Sequence, residues 1–245
     1  MARIIAIAGK GGVGKTTLSA FLIKRLVKTG GPVLAVDADP NTNLNVALGM
    51  EYSKTVADIR EETKTAPASG FSRSDFFEMR LQEIISEGAG VDLLVMGRPE
   101  GPGCYCAVNN ILREALLRLS KNYRYIVIDN EAGMEHLSRR TAAAIDLLLL
   151  ISDPTAVGVQ SAINAFSTAK NAGLKVSDVS LLINKSKGVL AEEKLKSIKD
   201  AGLNMAGYAP FQEDIEKNSE GGGPVLALDK DMGMDNILKE TQWRE

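Results

Sequence analysis

The sequence predicts an α/β protein with a mostly parallel central sheet and helices on both faces. Short apolar runs recur along the chain with helical patterns between them, and a glycine-rich segment directly follows the first run. Such alternation is typical of parallel sheets, because each pair of parallel strands needs a crossover connection, which is usually a helix. The 245 residues lie within the size range of one α/β unit, so we expect a single domain over residues 1–245.

The apolar runs predict the strands in order. The first run covers 4–8, and the apolar spacing after it predicts a helix over 16–28. Further runs predict buried strands at 33–36, 91–96, 125–128, 147–151 and 179–183. A shorter run at 205–209 predicts an edge strand. The least regular segment, 53–74, is interpreted as an insertion or flap.

The glycine-rich segment has the spacing of a phosphate-binding loop, G-x-x-x-x-G-K-T, over residues 9–16. At a strand-to-helix turn, glycines let backbone N–H groups approach phosphate oxygens, and the helix start adds partial positive charge. By residue type, Lys15 reaches the β- and γ-phosphates, and Thr16 offers its hydroxyl to Mg²⁺. The expected nucleotide contacts in this segment are Gly11, Gly12, Val13, Gly14, Lys15, Thr16 and Thr17.

The same glycines also satisfy the dinucleotide-binding pattern G-x-G-x-x-G, and Asp37 lies near the expected position of its ribose-binding acid. A dinucleotide site has no use for Lys15 and Thr16 after the last glycine. Triphosphate chemistry needs both a cation and a magnesium ligand there. The full spacing therefore favours a nucleoside triphosphate.

Carboxylates follow two of the predicted strands. Asp39 comes after the second run and Asp129 after the fourth. Ligands of parallel sheets bind beyond the carboxyl ends of the strands, where such acids can hold Mg²⁺ through water and orient an attacking water. The alternative is that both acids only cap helices. Asn184 follows the run at 179–183, and its amide can pair with an adenine edge or serve as a turn residue.

The only two cysteines, Cys104 and Cys106, follow the turn Gly101-Pro102-Gly103. One intervening residue disfavours a disulfide between them, and a helix start after this turn would favour thiolates. Two thiolates are too few for a closed metal site, so two chains related by a two-fold axis would supply four. Such a site suits Ni²⁺ or Zn²⁺ at the dimer interface. The alternative is two small residues at a helix start.

Charge and hydropathy exclude several functional classes. The chain has 29 Lys and Arg against 31 Asp and Glu, a net charge of −2, which argues against nonspecific attraction to nucleic acid or anionic membrane. The longest apolar run, 142–151, contains Asp146 and is too short to span a bilayer. No signal peptide is recognisable. We therefore expect a cytoplasmic protein with no nucleic acid and no membrane among its partners.

The segment 9–17, Gly-Lys-Gly-Gly-Val-Gly-Lys-Thr-Thr, resembles the deviant Walker A signature of the MinD, ParA, ArsA and nitrogenase iron protein group of ATPases. The resemblance implies a P-loop NTPase of the MinD-like (SIMIBI) type that binds ATP or ADP. It also implies a homodimer around ATP, in which Lys10 of each chain reaches the partner's nucleotide.

The same resemblance implies roles for residues at the strand ends. Asp39 matches the switch I acid that positions water, and Asp129 matches the Walker B acid near magnesium, with the second switch at 130–133. An asparagine such as Asn184 contacts adenine in that group. In the same group a proline-containing loop closes over the adenine ring, and Pro210 and Phe211 match it in this chain.

Two further segments, 97–106 and 129–136, resemble the CooC-type maturation ATPases. This resemblance implies ATP-driven nickel insertion into carbon monoxide dehydrogenase or the related acetyl-CoA synthase. One alternative is an iron–sulfur reductase of the nitrogenase iron protein type, although no cysteine follows the Walker B strand. The other is a spatial organiser like MinD or ParA, although the last residues, 236–245, lack the basic amphipathic pattern of a membrane helix.

Overall fold

The computed structural model describes residues 1–65, 79–98, 104–131, 145–171, 174–230 and 232–240, with only the backbone of 63–65, 104–106 and 240. The strands are β1 (Arg3–Gly9), β2 (Val33–Ala38), β3 (Val91–Val95), β4 (Tyr125–Asn130), β5 (Ile145–Ser152), β6 (Val176–Ser186) and β7 (Asn204–Pro210). The helices are α1 (Lys15–Lys28), α2 (Leu44–Leu48), α3 (Val56–Thr65), α4 (Cys104–Leu119), α5 (Ala156–Asn171), α6 (Glu192–Asp200), α7 (Glu213–Glu220) and α8 (Met234–Glu240). A short helical segment covers 79–83, and a 3₁₀ turn covers Val225–Ala227.

The seven strands form one sheet in the order β3-β2-β4-β1-β5-β6-β7. Every neighbouring pair is parallel, so the prediction of a mostly parallel sheet is confirmed. β7 lies at one edge, as the short run at 205–209 predicted. Because all strands run in one direction, their carboxyl ends meet along a single edge of the sheet.

Helices cover both faces of the sheet, because successive side chains of a strand point to opposite faces. On β1, Ile5 and Ile7 pack in a cluster that also contains residues of α1, α2 and α8. Ile4 packs on the other face with residues of α3 and α4, and Ala6 packs there with residues of α5 and α6. No helix of the described residues is long and apolar enough to cross a bilayer.

The interpretation of 53–74 as an insertion or flap needs correction. The first part of this segment is helix α3, and Val56, Ala57 and Ile59 of α3 are buried in the cluster against β2 and α4. These few apolar positions were too short a pattern to predict a packed helix. Residues 66–78 lie outside the described part of the chain.

Candidate functional site

The phosphate-binding loop connects the end of β1 to the start of α1. Gly9 packs against β5 so closely that a Cβ there would lie 2.3 Å from the carbonyl oxygen of Ile151. Gly14 has a φ of 90°, and a Cβ there would lie 2.4 Å from Nδ2 of Asn184. Both positions therefore require glycine. The first N–H groups of α1 have no partner within the helix and are available to an anion.

Lys15 begins α1 and lies almost entirely inside the site. Only 9% of the residue is exposed, and Nζ lies 3.4 Å from the carbonyl oxygen of Lys10. Burial lowers the pKa of Lys15, while Asp129, Asp39 and Glu131 act in the opposite direction. A partly desolvated ammonium group at the helix start attracts a phosphate more strongly than a solvated one would.

Asp129 lies behind the loop, at the end of β4. Its carboxylate accepts hydrogen bonds from Oγ of Ser19, at 3.0 Å, and from the Thr16 hydroxyl. Burial raises the pKa of Asp129 to about 7, with a further increase from Asp37. Sequence reasoning missed Ser19, since its only signal is a polar residue on the buried face of a helix. The predicted magnesium residues Thr16 and Asp129 are thus in direct contact.

Asp37 lies on β2 in register with Asp129 and is fully buried. Both of its carboxylate oxygens accept backbone N–H groups, from Asp39 and Leu44. It does not line the cavity, so the structure offers no support for a ribose-binding acid at this position. Asp39, two residues later, does line the cavity, and its Oδ1 accepts hydrogen bonds from Asn41.

A cavity of about 480 Å³ runs from the loop to the ends of β6 and β7, a volume typical of small-molecule sites. Of the predicted nucleotide contacts, those that line it are Gly11, Gly12, Gly14, Lys15, Thr16, Thr17, Asn184, Pro210 and Phe211. Val13 does not; its side chain is buried in the core. Lys10 is exposed outside the cavity, and Asp129 lies beneath Thr16.

The far end of the cavity is built from the ends of β6 and β7. Nδ2 of Asn184 donates to the carbonyl oxygen of Val13 at 2.8 Å, so this residue is attached to the phosphate loop. The next residue, Lys185, has a φ of 53°, which is uncommon for a residue with a side chain. The backbone N–H of Phe211 donates to Ser186 at 3.0 Å and joins the two strand ends.

Sequence reasoning missed one wall of this cavity. Its members come from the chain after Asn184: Lys185, Gln212, Ile215, Glu216, Ser219 and Met232. Most of them belong to α7 or the residues around it. No motif marks them, because they face the cavity only through the packing of α7 against the 3₁₀ turn Val225–Ala227 and, through Ile215, against the core. The adjacency of Lys185 to Asn184 was the one available signal.

The predicted metal ligands cannot be placed in the same way. Cys104 and Cys106 lie in the first turn of α4, but their side chains are outside the described residues. Residues 99–103, where the sequence predicts a turn, and the predicted second switch from residue 132 onward also lie outside them. Among the residues that the structure describes, no group of three or more His, Cys, Asp or Glu is placed to hold a metal ion.

The donors around the loop match a magnesium nucleotide. Lys15 supplies a cation, and the start of α1 supplies N–H groups for phosphate oxygens. Thr16, Asp39 and Asp129 supply the hard oxygen atoms that Mg²⁺ prefers. A phosphate loop, a buried lysine and strand-end acids on a parallel α/β sheet define a P-loop nucleotide-binding protein.

Comparison with known proteins agrees with this class. The chain belongs to the AAA domain family, whose model matches residues 2–180. Membership of this family implies ATPase activity. The prediction of a MinD-type α/β P-loop fold is confirmed.

The similar proteins cover most of the chain. The uncharacterized ATP-binding protein MJ0685 of Methanocaldococcus jannaschii is 43% identical over 92% of this chain and 91% of its own. The carbon monoxide dehydrogenase accessory protein CooC of Rhodospirillum rubrum is 34% identical over 70% of each chain. The structure of MinD complexed with Mg-ADP from Pyrococcus horikoshii has a TM-score of 0.71 and 23% identity, over 99% of this chain and 96% of that one. That level of identity shows the common fold alone.

Proposed function

We propose that this protein is an ATP-hydrolysing nickel-insertion accessory protein for carbon monoxide dehydrogenase or the related acetyl-CoA synthase. In this proposal the chain is one cytoplasmic domain over 1–245 that dimerises around ATP. The observation that carries the ATPase part is the cavity that joins the phosphate loop, Lys15 and Asp39 to the strand end at Asn184. The metal part rests on Cys104 and Cys106 and on the similarity to CooC.

The nucleotide would lie along the cavity with its phosphates at the loop. Lys15 and the first N–H groups of α1 would bind the β- and γ-phosphates, and Thr16 and Asp129 would hold Mg²⁺ directly or through water. Magnesium, when bound, supplies positive charge that stabilises the phosphate oxygens. Asn184 and the segment Pro210-Phe211 would contact the adenine ring.

Hydrolysis needs an ordered water opposite the leaving group. Asp39 would accept a hydrogen bond from that water and orient its oxygen toward the γ-phosphorus. The new phosphorus–oxygen bond forms as the bond to the β-phosphate oxygen breaks. ADP and inorganic phosphate leave, and the excess proton passes to solvent.

Lys10 would act between two chains. It is exposed at the end of β1, and no ion pair of Lys10 occurs within the described residues. Its ammonium group acts electrostatically on Asp153 within the chain and would turn to the phosphates bound by a second chain. Each chain would complete the site of its partner, so ATP binding and dimerisation would be coupled.

The cysteines of two such chains would form the cargo site. Cys104 and Cys106 of each chain would contribute four thiolates in all, enough for a closed site with Ni²⁺ or, as the alternative ion, Zn²⁺. Because each chain supplies half of the ligands, a nucleotide-driven movement of the chains would change metal affinity. This coupling would let ATP control the transfer of nickel to the client enzyme.

Nickel binding to the reduced protein tests this proposal directly. Equilibrium binding would be measured under anaerobic conditions with and without ATP, with the metal per chain and the molar mass read in the same samples. We expect one nickel per two chains, lost in Cys104→Ala and in Cys106→Ala. Both variants should still hydrolyse ATP. Lys15→Ala is the matched control, since it should lose nucleotide binding but keep its cysteines.

Retention of stoichiometric nickel by the cysteine variants would overturn the metal assignment. ATP-dependent dimers without any cysteine-dependent metal, together with cosedimentation of the protein with DNA or lipid vesicles, would instead support a spatial organiser. Cluster absorption after anaerobic loading with iron and sulfide would support the iron–sulfur alternative.

A further inference from the structure

The loop after β2, residues 39–43, is organised by its own hydrogen bonds. Oδ1 of Asp39 accepts the backbone N–H of Asn41 at 2.8 Å and the Asn41 side-chain amide at 3.0 Å. The backbone N–H of Thr42 donates to the carbonyl oxygen of Asp39 at 3.0 Å, which closes a turn. Since Oδ1 is occupied by these bonds, Oδ2 is the oxygen of Asp39 that remains for water or a ligand.

Asp37 holds both ends of this loop. Its Oδ1 accepts the backbone N–H of Asp39 at 3.1 Å, and its Oδ2 accepts the backbone N–H of Leu44 at 2.9 Å. Leu44 is the first residue of α2 and is fully buried in the core. One carboxylate therefore connects the acid to a helix that is anchored by packing.

The backbone of the loop is also held in an uncommon conformation. Thr42 has a φ of 47°, in a region that β-branched residues rarely adopt. Such a conformation persists only where the surroundings determine it, which the bonds from Asp39 and Asp37 do here. The hydroxyl of Tyr52, a residue that follows α2 in the chain, lies 3.5 Å from Oγ1 of Thr42. The loop thus has a defined shape before any nucleotide is bound.

We propose that Asp37 and Asn41 are positioning residues that set the Asp39 carboxylate for hydrolysis. The inference rests on the proposed role of Asp39 in orienting water. Preorganised groups avoid reorganisation at the moment of reaction, and a displacement of 1 Å can lower a rate by about a hundredfold. Asp37 is buried outside the cavity and holds the loop from behind, and its charge also raises the pKa of Asp129 on the neighbouring strand. Asn41 lines the cavity and acts on the Oδ1 side of Asp39.

A double-mutant cycle tests this inference. The variants are Asp37→Asn and Asn41→Ala, each alone and combined with Asp39→Asn, with kcat, KM for ATP and ATP affinity measured for each. In Asp37→Asn an amide NH₂ replaces one acceptor oxygen, so one of the two backbone bonds is lost. We expect each single variant to lower kcat by about tenfold to a hundredfold, with ATP affinity within about twofold.

Combined with Asp39→Asn, Asn41→Ala should not lower kcat further, because a residue that acts through Asp39 has no effect once it is gone. Asp37→Asn should lose most of its effect in the same background, and any remainder reports its charge acting on Asp129. Val46→Ala, an exposed position on α2, is the matched control and should leave kcat unchanged. Asn41 has an exposed side chain, so Asn41→Ala keeps the test decisive even if Asp37→Asn fails to fold.

The possible outcomes distinguish a failure of the positioning role from a failure of the proposed role of Asp39. A normal kcat in Asn41→Ala, or losses that add to that of Asp39→Asn, would overturn the positioning role alone. A normal kcat in Asp39→Asn would overturn the proposed role of Asp39 and this inference together. Nickel binding by the cysteines is measured independently of both results.

Discussion

Two buried carboxylates lie side by side at the nucleotide site. Asp37 on β2 and Asp129 on β4 are in register, and each is at most 1% exposed. Burial raises the pKa of Asp37 to about 6 and that of Asp129 to about 7. Lys15 is the cation that acts on Asp129, so added positive charge from magnesium would relieve the repulsion between the two acids.

This pair makes the stability of the nucleotide-free protein depend on pH. Both pKa values are raised from the ordinary value of 3.8, so the folded chain binds more protons than the unfolded chain between about pH 4 and pH 7. The free energy of unfolding should therefore decrease as pH rises through this window, by up to about 1.4 kcal/mol per pH unit for each extra proton. Asp129→Asn should reduce this slope, measured by urea unfolding without magnesium or nucleotide.

The difference in slope between Asp129→Asn and wild type gives the part of the pH dependence that is due to Asp129. Asp200→Asn, which changes an exposed carboxylate on α6, is the control and should keep the wild-type slope. A slope that is the same in Asp129→Asn as in wild type would contradict the prediction.

Gly14 gives a second test at the scale of one residue. Gly14→Ala should weaken ATP binding more than tenfold, because the new methyl group would meet Nδ2 of Asn184 and distort the phosphate loop. Gly30→Ala is the control, since Gly30 has a similar φ of 77° but open space around it. It should cost about 1–2 kcal/mol of stability and keep ATP affinity. Titration calorimetry and urea unfolding measure the two effects, and equal ATP affinity in both variants would refute the prediction.

Helix α1 is the element that places the loop against the sheet. Its buried face includes Leu18, Leu22 and Leu26, which pack in the same cluster as Ile5 and Ile7 of β1. This packing holds the first turn of α1, with its free N–H groups, at the carboxyl edge of the sheet. The stability of the site therefore depends on apolar contacts that no nucleotide touches.

Leu22→Ala should lower the free energy of unfolding by about 2–5 kcal/mol, because Leu22 is 1% exposed and its removal leaves a cavity. Leu117→Ala, at a 46% exposed position on α4, is the matched control and should change stability by less than about 0.5 kcal/mol. Urea unfolding at constant pH measures both. Similar losses in the two variants would show that α1 does not pack as the structure describes.

At the scale of the whole molecule, the cavity opens at the carboxyl edge of the sheet and Lys10 is exposed outside it. A second chain that approaches this edge would meet both the bound phosphates and Lys10. The proposed dimer therefore uses a surface that the fold itself creates, since the strand ends converge there. The amino edge of the sheet carries no predicted site residue.

Lys10→Ala should abolish the ATP-dependent dimer and reduce hydrolysis, while each chain still binds ATP through its own Lys15. Sedimentation velocity with and without ATP, together with phosphate release, measures the two effects. Lys121→Ala, an exposed lysine in the turn after α4, is the control and should behave as wild type. Unchanged dimerisation and hydrolysis in Lys10→Ala would remove the intersubunit role.

Much of the fold and part of the site could be predicted from local patterns. The strands, α1, the phosphate loop and the strand-end acids are each encoded within a few consecutive residues, so the sequence alone was sufficient for them. Helix α3 was missed because its three buried apolar residues are too few to give a clear helical periodicity, and the residues that follow them are less regular. The cavity wall formed by α7 was missed because the sequence of α7 contains no motif for nucleotide binding.

The sequence by itself determined the class of protein, since a phosphate loop after a buried strand works through its own backbone. Only the tertiary structure decided what lies beside that loop. Asn184 donates to Val13 across 171 positions of the chain, and Asp37 lies next to Asp129. The strand order brings these ends together. That order follows from the joint burial of apolar faces on many segments, and the spacing within any one segment does not encode it.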